Sequence, residues 1–198
     1  MIRPGMIRPG MIRSLVAAAM VALFVAAPLG AATKNFIPTI PDVEVVTQDG
    51  KTVHFYSDLV KGNVVAVNFI FTNCKTICPV LGAMFTNLQK QGGRGVRLIS
   101  VSIDPTVDTP LRLKAWSGKF GAGPSWTLVT GKQADIDRIV KAFGAYTSQP
   151  QEHLPITIIG SDVTGVWTRN YGFLSSAEMS AVIARATDGA QKAEVAGQ

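Results

Sequence analysis

The stretch Val64-Val65-Ala66-Val67-Asn68-Phe69-Ile70-Phe71-Thr72-Asn73-Cys74-Lys75-Thr76-Ile77-Cys78-Pro79 decides the fold. Its first eight residues form an apolar, β-branched run, the pattern of a central strand buried on both faces. Pro79 suits the first turn of a helix, where its missing N–H costs nothing. The spacing predicts that this helix runs to about Gln91, ends at Gly92-Gly93, and packs through Leu81, Phe85 and Leu88. A strand therefore delivers two thiols to the mouth of a helix. Cys74 and Cys78 are the only cysteines among 198 residues.

Working outward, the elements alternate. Upstream, Val43–Val46 and Val53–Tyr56 flank Gln48-Asp49-Gly50, a hairpin signal, and a second turn follows at Asp58-Leu59 and Gly62-Asn63. Downstream, Val96–Ile103 reads as a strand. Thr109-Pro110 reads as the cap and first turn of a helix carrying Leu111, Leu113, Ala115 and Trp116. Trp126–Val129 is a short strand. Thr130 to Gln133 has capping-box spacing before a helix with Ile136, Ile139, Val140 and Phe143. A loop from Gly144 to His153 leads to a hairpin, Ile156–Ile159 and Val166–Tyr171. A second capping box, Ser175 to Glu178, opens a last helix to about Ala186. This order is that of an α/β sandwich with a central mixed sheet and an N-terminal hairpin, and it puts the thiols at the C-terminal end of the central strand.

The chain starts with Met-Ile-Arg-Pro-Gly twice, then Arg13, the apolar stretch Leu15 to Leu29 and the small residues Gly30-Ala31-Ala32. That is the form of an export signal cut after Ala32, or of an uncleaved anchor. Residues 1–32 are thus expected as leader, 33–188 as one domain and 189–198 as a flexible tail. The expected location is the periplasm, free or tethered to the inner membrane. Beyond the leader, sixteen basic residues face thirteen acidic ones, a net charge of +3, with no basic patch interleaved with aromatics, which excludes nucleic acid as a partner class.

Two cysteines in an exported chain suggest a disulfide. A bridge across so short a loop constrains the unfolded chain by only ~2 kcal/mol, against ~4.7 kcal/mol for a loop of about 100 residues, so a stabilising role is the poorer reading. A redox couple or half of a soft-metal site remains. Cys78 at a helix N-terminus, with Lys75 between the sulfurs, is expected to favour thiolate at both. A third ligand must come from one of two histidines. His54 reads as a solvated or core-edge residue. His153 precedes a strand expected beside Val64–Phe71; spacing leaves open whether it is a ligand or structural. Two thiolates and an imidazole suit Cu(I) in a trigonal site, or Cu(II) with one further oxygen; zinc usually takes four protein ligands. Asp104 is a turn residue before Pro105 or a weak oxygen ligand. Trp116, Trp126 and Trp167 read as packing residues, and Tyr146 as a candidate for a docking face.

The segment Phe71 to Val80, with Val101-Ser102-Ile103-Asp104-Pro105, Asp108-Thr109-Pro110, Phe143-Gly144 and the His153 segment, resembles the Sco/SenC family over Val43 to Met179. The resemblance implies a thioredoxin-like three-layer sandwich and copper bound by Cys74, Cys78 and His153. It also implies delivery of copper to cytochrome c oxidase, or reduction of the cysteines of that enzyme's copper-bearing subunit. A periplasmic thiol reductant and other copper chaperones are the further partners it implies. Pro155 departs from several relatives; it either takes the place of the cis-proline of thioredoxins or is an ordinary trans proline at a strand start. The competing reading is a thiol–disulfide oxidoreductase of the same fold with no physiological metal, in which Cys74 attacks and Cys78 resolves. A peroxidase reading lacks the local setting its cysteine needs.

Overall fold

The computed structural model describes residues 32–91 and 95–196, with side chains as far as Asp188. The leader up to residue 31 and the helix stop expected at Gly92-Gly93 lie outside the described residues. The elements are β1 (Ala32–Asn35), β2 (Glu44–Thr47), β3 (Thr52–His54), β4 (Val64–Ile70), α1 (Ile77–Lys90), β5 (Val96–Ser102), α2 (Pro110–Gly118), β6 (Trp126–Thr130), α3 (Gln133–Ala142), β7 (Ile156–Ser161), β8 (Trp167–Tyr171) and α4 (Ser176–Ala196).

All eight strands join one mixed sheet in the order β1-β8-β7-β4-β5-β6-β2-β3. β4 runs parallel to β5 and antiparallel to β7, so the strand that follows His153 lies beside β4 as expected. Alternation along each strand splits the core into two layers. On one face, Trp126 meets Phe85 of α1 and Trp116 of α2. On the other, Phe69 and Trp167 meet Phe143, just past α3, which also touches Phe55. Helices therefore cover both faces. The side chains of β4 from Val65 to Ile70 are all buried, Val65, Val67, Phe69 and Ile70 contributing roughly 1.5–3 kcal/mol each. The three tryptophans pack as expected, with Trp126 Nε1 donating to Ser100 Oγ at 2.9 Å.

Several expectations change. The strand expected over Val53–Tyr56 stops at His54, and Phe55–Val60 winds as a π-helical turn that buries Phe55, Leu59 and Val60. The Thr130 capping box does not form. Thr130 stays in β6 opposite Val46, and Lys132 occupies the N-cap of α3 without a side-chain hydrogen bond. The second box does form: Ser175 Oγ donates to Glu178 and accepts the Glu178 N–H. Thr109 caps α2, accepting from the Arg112 N–H. α4 continues past Ala186 to Ala196, because the added turns contain Ala190, Ala193 and Ala196, strong helix formers that outweigh Gly189. Among the described residues no peptide bond is cis, so Pro155 is an ordinary trans proline. No helix among the described residues is long and apolar enough to cross a membrane.

Candidate functional site

β4 ends at Ile70, and the chain turns at once, the Cys74 N–H donating to the Phe71 carbonyl at 3.1 Å. α1 begins at Ile77, so Cys78 lies inside its first turn and faces the core. Its neighbour across the site comes from the loop before β7. There Pro150–Glu152 forms a short 3-10 turn, and His153 follows it. The structure brings the three side chains together at the end of the sheet. Cys78 Sγ lies 3.7 Å from His153 Nε2. Cys74 Sγ accepts the Cys78 N–H at 3.4 Å and stands 3.7 Å from Thr76 Oγ1. Both thiols are free. Cys78 is fully buried, and Cys74 and His153 are 8% and 7% exposed.

The Cys74 sulfur does the work of a helix cap. Thr76, at the N-cap, makes no side-chain cap bond, and the amide of the second residue of α1 points at Cys74 instead. This reverses the expectation that the helix N-terminus favours thiolate at Cys78. Burial works against the Cys74 thiolate, but hydrogen bonds from the Cys78 thiol, the Cys78 amide and Thr76 outweigh it and hold Cys74 below the ordinary thiol range. Burial, and then its own hydrogen bond to Cys74, push Cys78 far above that range. The two sulfurs are unequal because only one lies ahead of the helix. Lys75 is exposed at the tip of the loop.

His153 is aimed by its other nitrogen. Nδ1 lies 2.8 Å from the Pro150 carbonyl, which can only accept, so the neutral ring carries its proton there. Nε2 is left with a free lone pair toward Cys78. Burial lowers the His153 pKa, the Pro150 carbonyl opposing it in part, so the ring is neutral at pH 7. Phe71 packs edge-on against the ring at 5.6 Å.

A metal with bonds of about 2.3 Å to sulfur and 2.0 Å to nitrogen, about 120° apart, needs those donors about 3.7 Å from each other, which is the spacing of Cys78 Sγ and His153 Nε2. The third donor is engaged elsewhere: Cys74 caps the helix, and among the described residues no trio of His, Cys, Asp or Glu stands in ligating geometry.

The role of one residue escaped the sequence reading. Asp108 is 1% exposed and lies beneath the cysteine loop. Its carboxyl accepts from the Thr72 N–H at 3.0 Å, from Thr72 Oγ1 at 2.5 Å and from Ser102 Oγ at 2.7 Å. Arg112 reinforces the same loop, donating to Thr72 Oγ1 and to Asn73 Oδ1 at 2.7 Å. The only signal in the sequence was an acidic residue directly before the Thr-Pro helix cap. Asp104 is a turn residue: its carbonyl accepts the Asp108 N–H, and its carboxylate takes the Thr106 hydroxyl. His54 is exposed on β3, away from the thiols. Tyr146 is exposed, with Lys141 Nζ 4.4 Å above its ring.

Known proteins share the fold and much of the sequence. The SCO1 protein homolog of Bacillus subtilis is 38% identical over 138 residues, covering 65% of this chain and 69% of that one. BsSco, solved as a member of the Sco family of cytochrome c oxidase assembly proteins with a disulfide switch, superposes with a TM-score of 0.65 at 29% identity, over 80% of this chain and 96% of that one. Bradyrhizobium japonicum ScoI, solved with copper bound, shares the fold at 20% identity and a TM-score of 0.56, over 80% and 98% of the two chains. The SCO1/SenC family model matches residues 32–190, essentially the whole described domain, and the chain therefore belongs to the SCO1/SenC family.

Proposed function

We propose that this chain is an exported copper carrier that binds one copper ion through Cys74, Cys78 and His153 and serves the assembly of cytochrome c oxidase. The supporting observation is the aimed imidazole. His153 Nε2 lies 3.7 Å from Cys78 Sγ, and Nδ1 lies 2.8 Å from the Pro150 carbonyl. A soft donor set of two sulfurs and one nitrogen suits cuprous copper and accepts cupric copper with an added oxygen. Copper is cargo here. To receive it, Cys74 gives up the Cys78 amide and turns its sulfur toward the other two donors. Cys78 releases its proton, so uptake is coupled to proton release and strengthens as pH rises. His153 needs no deprotonation. The leader, read as export signal or anchor, supports the periplasm as the location, and BsSco's role in oxidase assembly supports the oxidase pathway as the destination.

The inequality of the thiols favours a second activity on the same residues. The Cys74 thiolate attacks one sulfur of a partner disulfide, and the other leaves as thiolate. The Cys78 sulfur then attacks Cys74, forms the Cys74–Cys78 bond and releases the partner's second thiol. The partner gains two electrons and this chain loses them, so a periplasmic thiol reductant must restore the pair.

Titration of the reduced protein with Cu(I) and with Cu(II) tests the first reading. One ion per chain is expected, with a sulfur-to-copper charge-transfer band for Cu(II). Undiminished affinity and an unchanged spectrum in His153→Ala would remove the histidine from the site. Disulfide reduction by the metal-free protein, with a mixed disulfide trapped on Cys74 in Cys78→Ser, tests the second.

A further inference from the structure

The sheet returns its own first strand to the thiol end. Thr33 of β1, Asn170 of β8, Thr157 of β7 and Asn68 of β4 lie in one register row. β1 is antiparallel to β8, β8 to β7 and β7 to β4, so β1 enters the sheet where β4 leaves it. Ala32 therefore stands at the cysteine end of the sheet, three strand spacings or about 14 Å to the side of β4. Only Gly30 and Ala31 separate it from the apolar stretch that closes at Leu29. Three peptide steps reach at most ~11 Å. A leader that stays attached thus holds this end of the sheet, and not the other, within that distance of the bilayer.

The same end carries exposed apolar side chains. Leu154 follows His153, and Phe173 is brought beside it by the Gly172 N–H, which donates to the Pro155 carbonyl at 2.8 Å. Val80 stands on the first turn of α1, and Leu111 on the first turn of α2, beside the Arg112 that grips the cysteine loop. Four large apolar groups on separate segments therefore stand at the thiol end of the sheet. Ile37 and Val163, also exposed, lie at the opposite end, past the close of β1 and in the turn between β7 and β8.

With the leader attached as an anchor, we propose that the rim of Val80, Leu111, Leu154 and Phe173 rests on the lipid surface, so that the cysteine–histidine site faces the membrane. Apolar side chains on a tethered face gain contact with the acyl boundary at little further entropic cost, because the tether already supplies proximity. Arg3, Arg8 and Arg13 ahead of the apolar stretch orient such an anchor with the domain outside the cytoplasm. The orientation rests on export. It holds whether the thiols carry copper or exchange disulfides.

Fluorescent labelling of the full chain in vesicles of phosphatidylethanolamine and phosphatidylglycerol tests it. Cys74→Ser and Cys78→Ser free the background for single labels at Leu154→Cys, Phe173→Cys, Val163→Cys or Ile37→Cys. A headgroup nitroxide is expected to quench the labels at 154 and 173 and to spare those at 163 and 37, about 20 Å away along the strands. Equal or reversed quenching overturns the proposal. So does unquenched fluorescence at 154 and 173 with the chain in the membrane, which leaves the rim to a protein partner. Recovery of the chain in the soluble fraction cut near Ala32 overturns it too. Since the labelled proteins lack both thiols, none of these results bears on copper binding.

Discussion

The two arms of the site are built differently. The cysteine arm leaves the most buried strand of the sheet and enters a helix within a few residues, and Asp108, itself held by Ser102 of β5, fastens it from below by accepting the Thr72 N–H and hydroxyl. The histidine arm sits near the end of a loop that starts at Gly144, its ring aimed by the Pro150 carbonyl and packed against Phe71. Rigid elements hold a thiol pair at a set separation, as a redox couple needs, and a loop lets the third donor approach or withdraw as cargo arrives or leaves. Binding energy should therefore concentrate in the sulfurs and adjustability in the imidazole.

Loss of a sulfur tests this contrast most severely. Cys74→Ser or Cys78→Ser should weaken copper binding at least a thousandfold, about 4 kcal/mol, by competition with a chromophoric chelator. A loss no larger than that of His153→Ala would erase the distinction between the arms. Asp108→Ala should come next. It leaves the Thr72 amide and two hydroxyls without their acceptor and should cost about 3 kcal/mol in urea unfolding of the reduced, metal-free protein. A cost under about 1 kcal/mol would mean that the cysteine arm is no better fastened than the other.

His153→Ala should lower copper affinity about tenfold, or ~1.4 kcal/mol, and barely change the unfolding midpoint. Gly144→Ala addresses the root of the same arm. Gly144 has φ +62° and follows the end of α3, and an added Cβ there would press on the Arg169 guanidinium. A loss of about 1 kcal/mol is expected, with copper affinity falling and thiol reactivity unchanged. The smallest effect is kinetic. Iodoacetamide should modify Cys74 first, with a pH midpoint below the ~8.5 of a free thiol, because its folded-state pKa is depressed and thiolate persists to lower pH. Cys78, buried and shifted upward, should react only after unfolding.

The strongest elements were legible because their signals are local. Val64–Phe71 could be read from an apolar run broken only by Asn68, α2 from Thr109-Pro110 and α4 from the Ser175 to Glu178 box. β1 gave no signal: Ala32-Thr33-Lys34-Asn35 is short, polar and exposed, and it is a strand only because β8 offers an edge to pair with. Thr130 had the right spacing for a cap, but pairing with β2 kept it extended. Asp108 was legible only within the family-like stretch Asp108-Thr109-Pro110, and its contact with Thr72 lies 36 residues back along the chain.

The order of residues alone determined the two thiols between strand and helix, the soft character of the donors and the alternating α/β order, because composition, capping and apolar period are properties of neighbours. Folding decided which sulfur receives the helix N-terminus, which carbonyl aims the imidazole, which carboxyl fastens the loop and at which end of the sheet the chain begins. Those outcomes depend on groups far apart in sequence, brought within hydrogen-bonding distance only when the sheet closes its register.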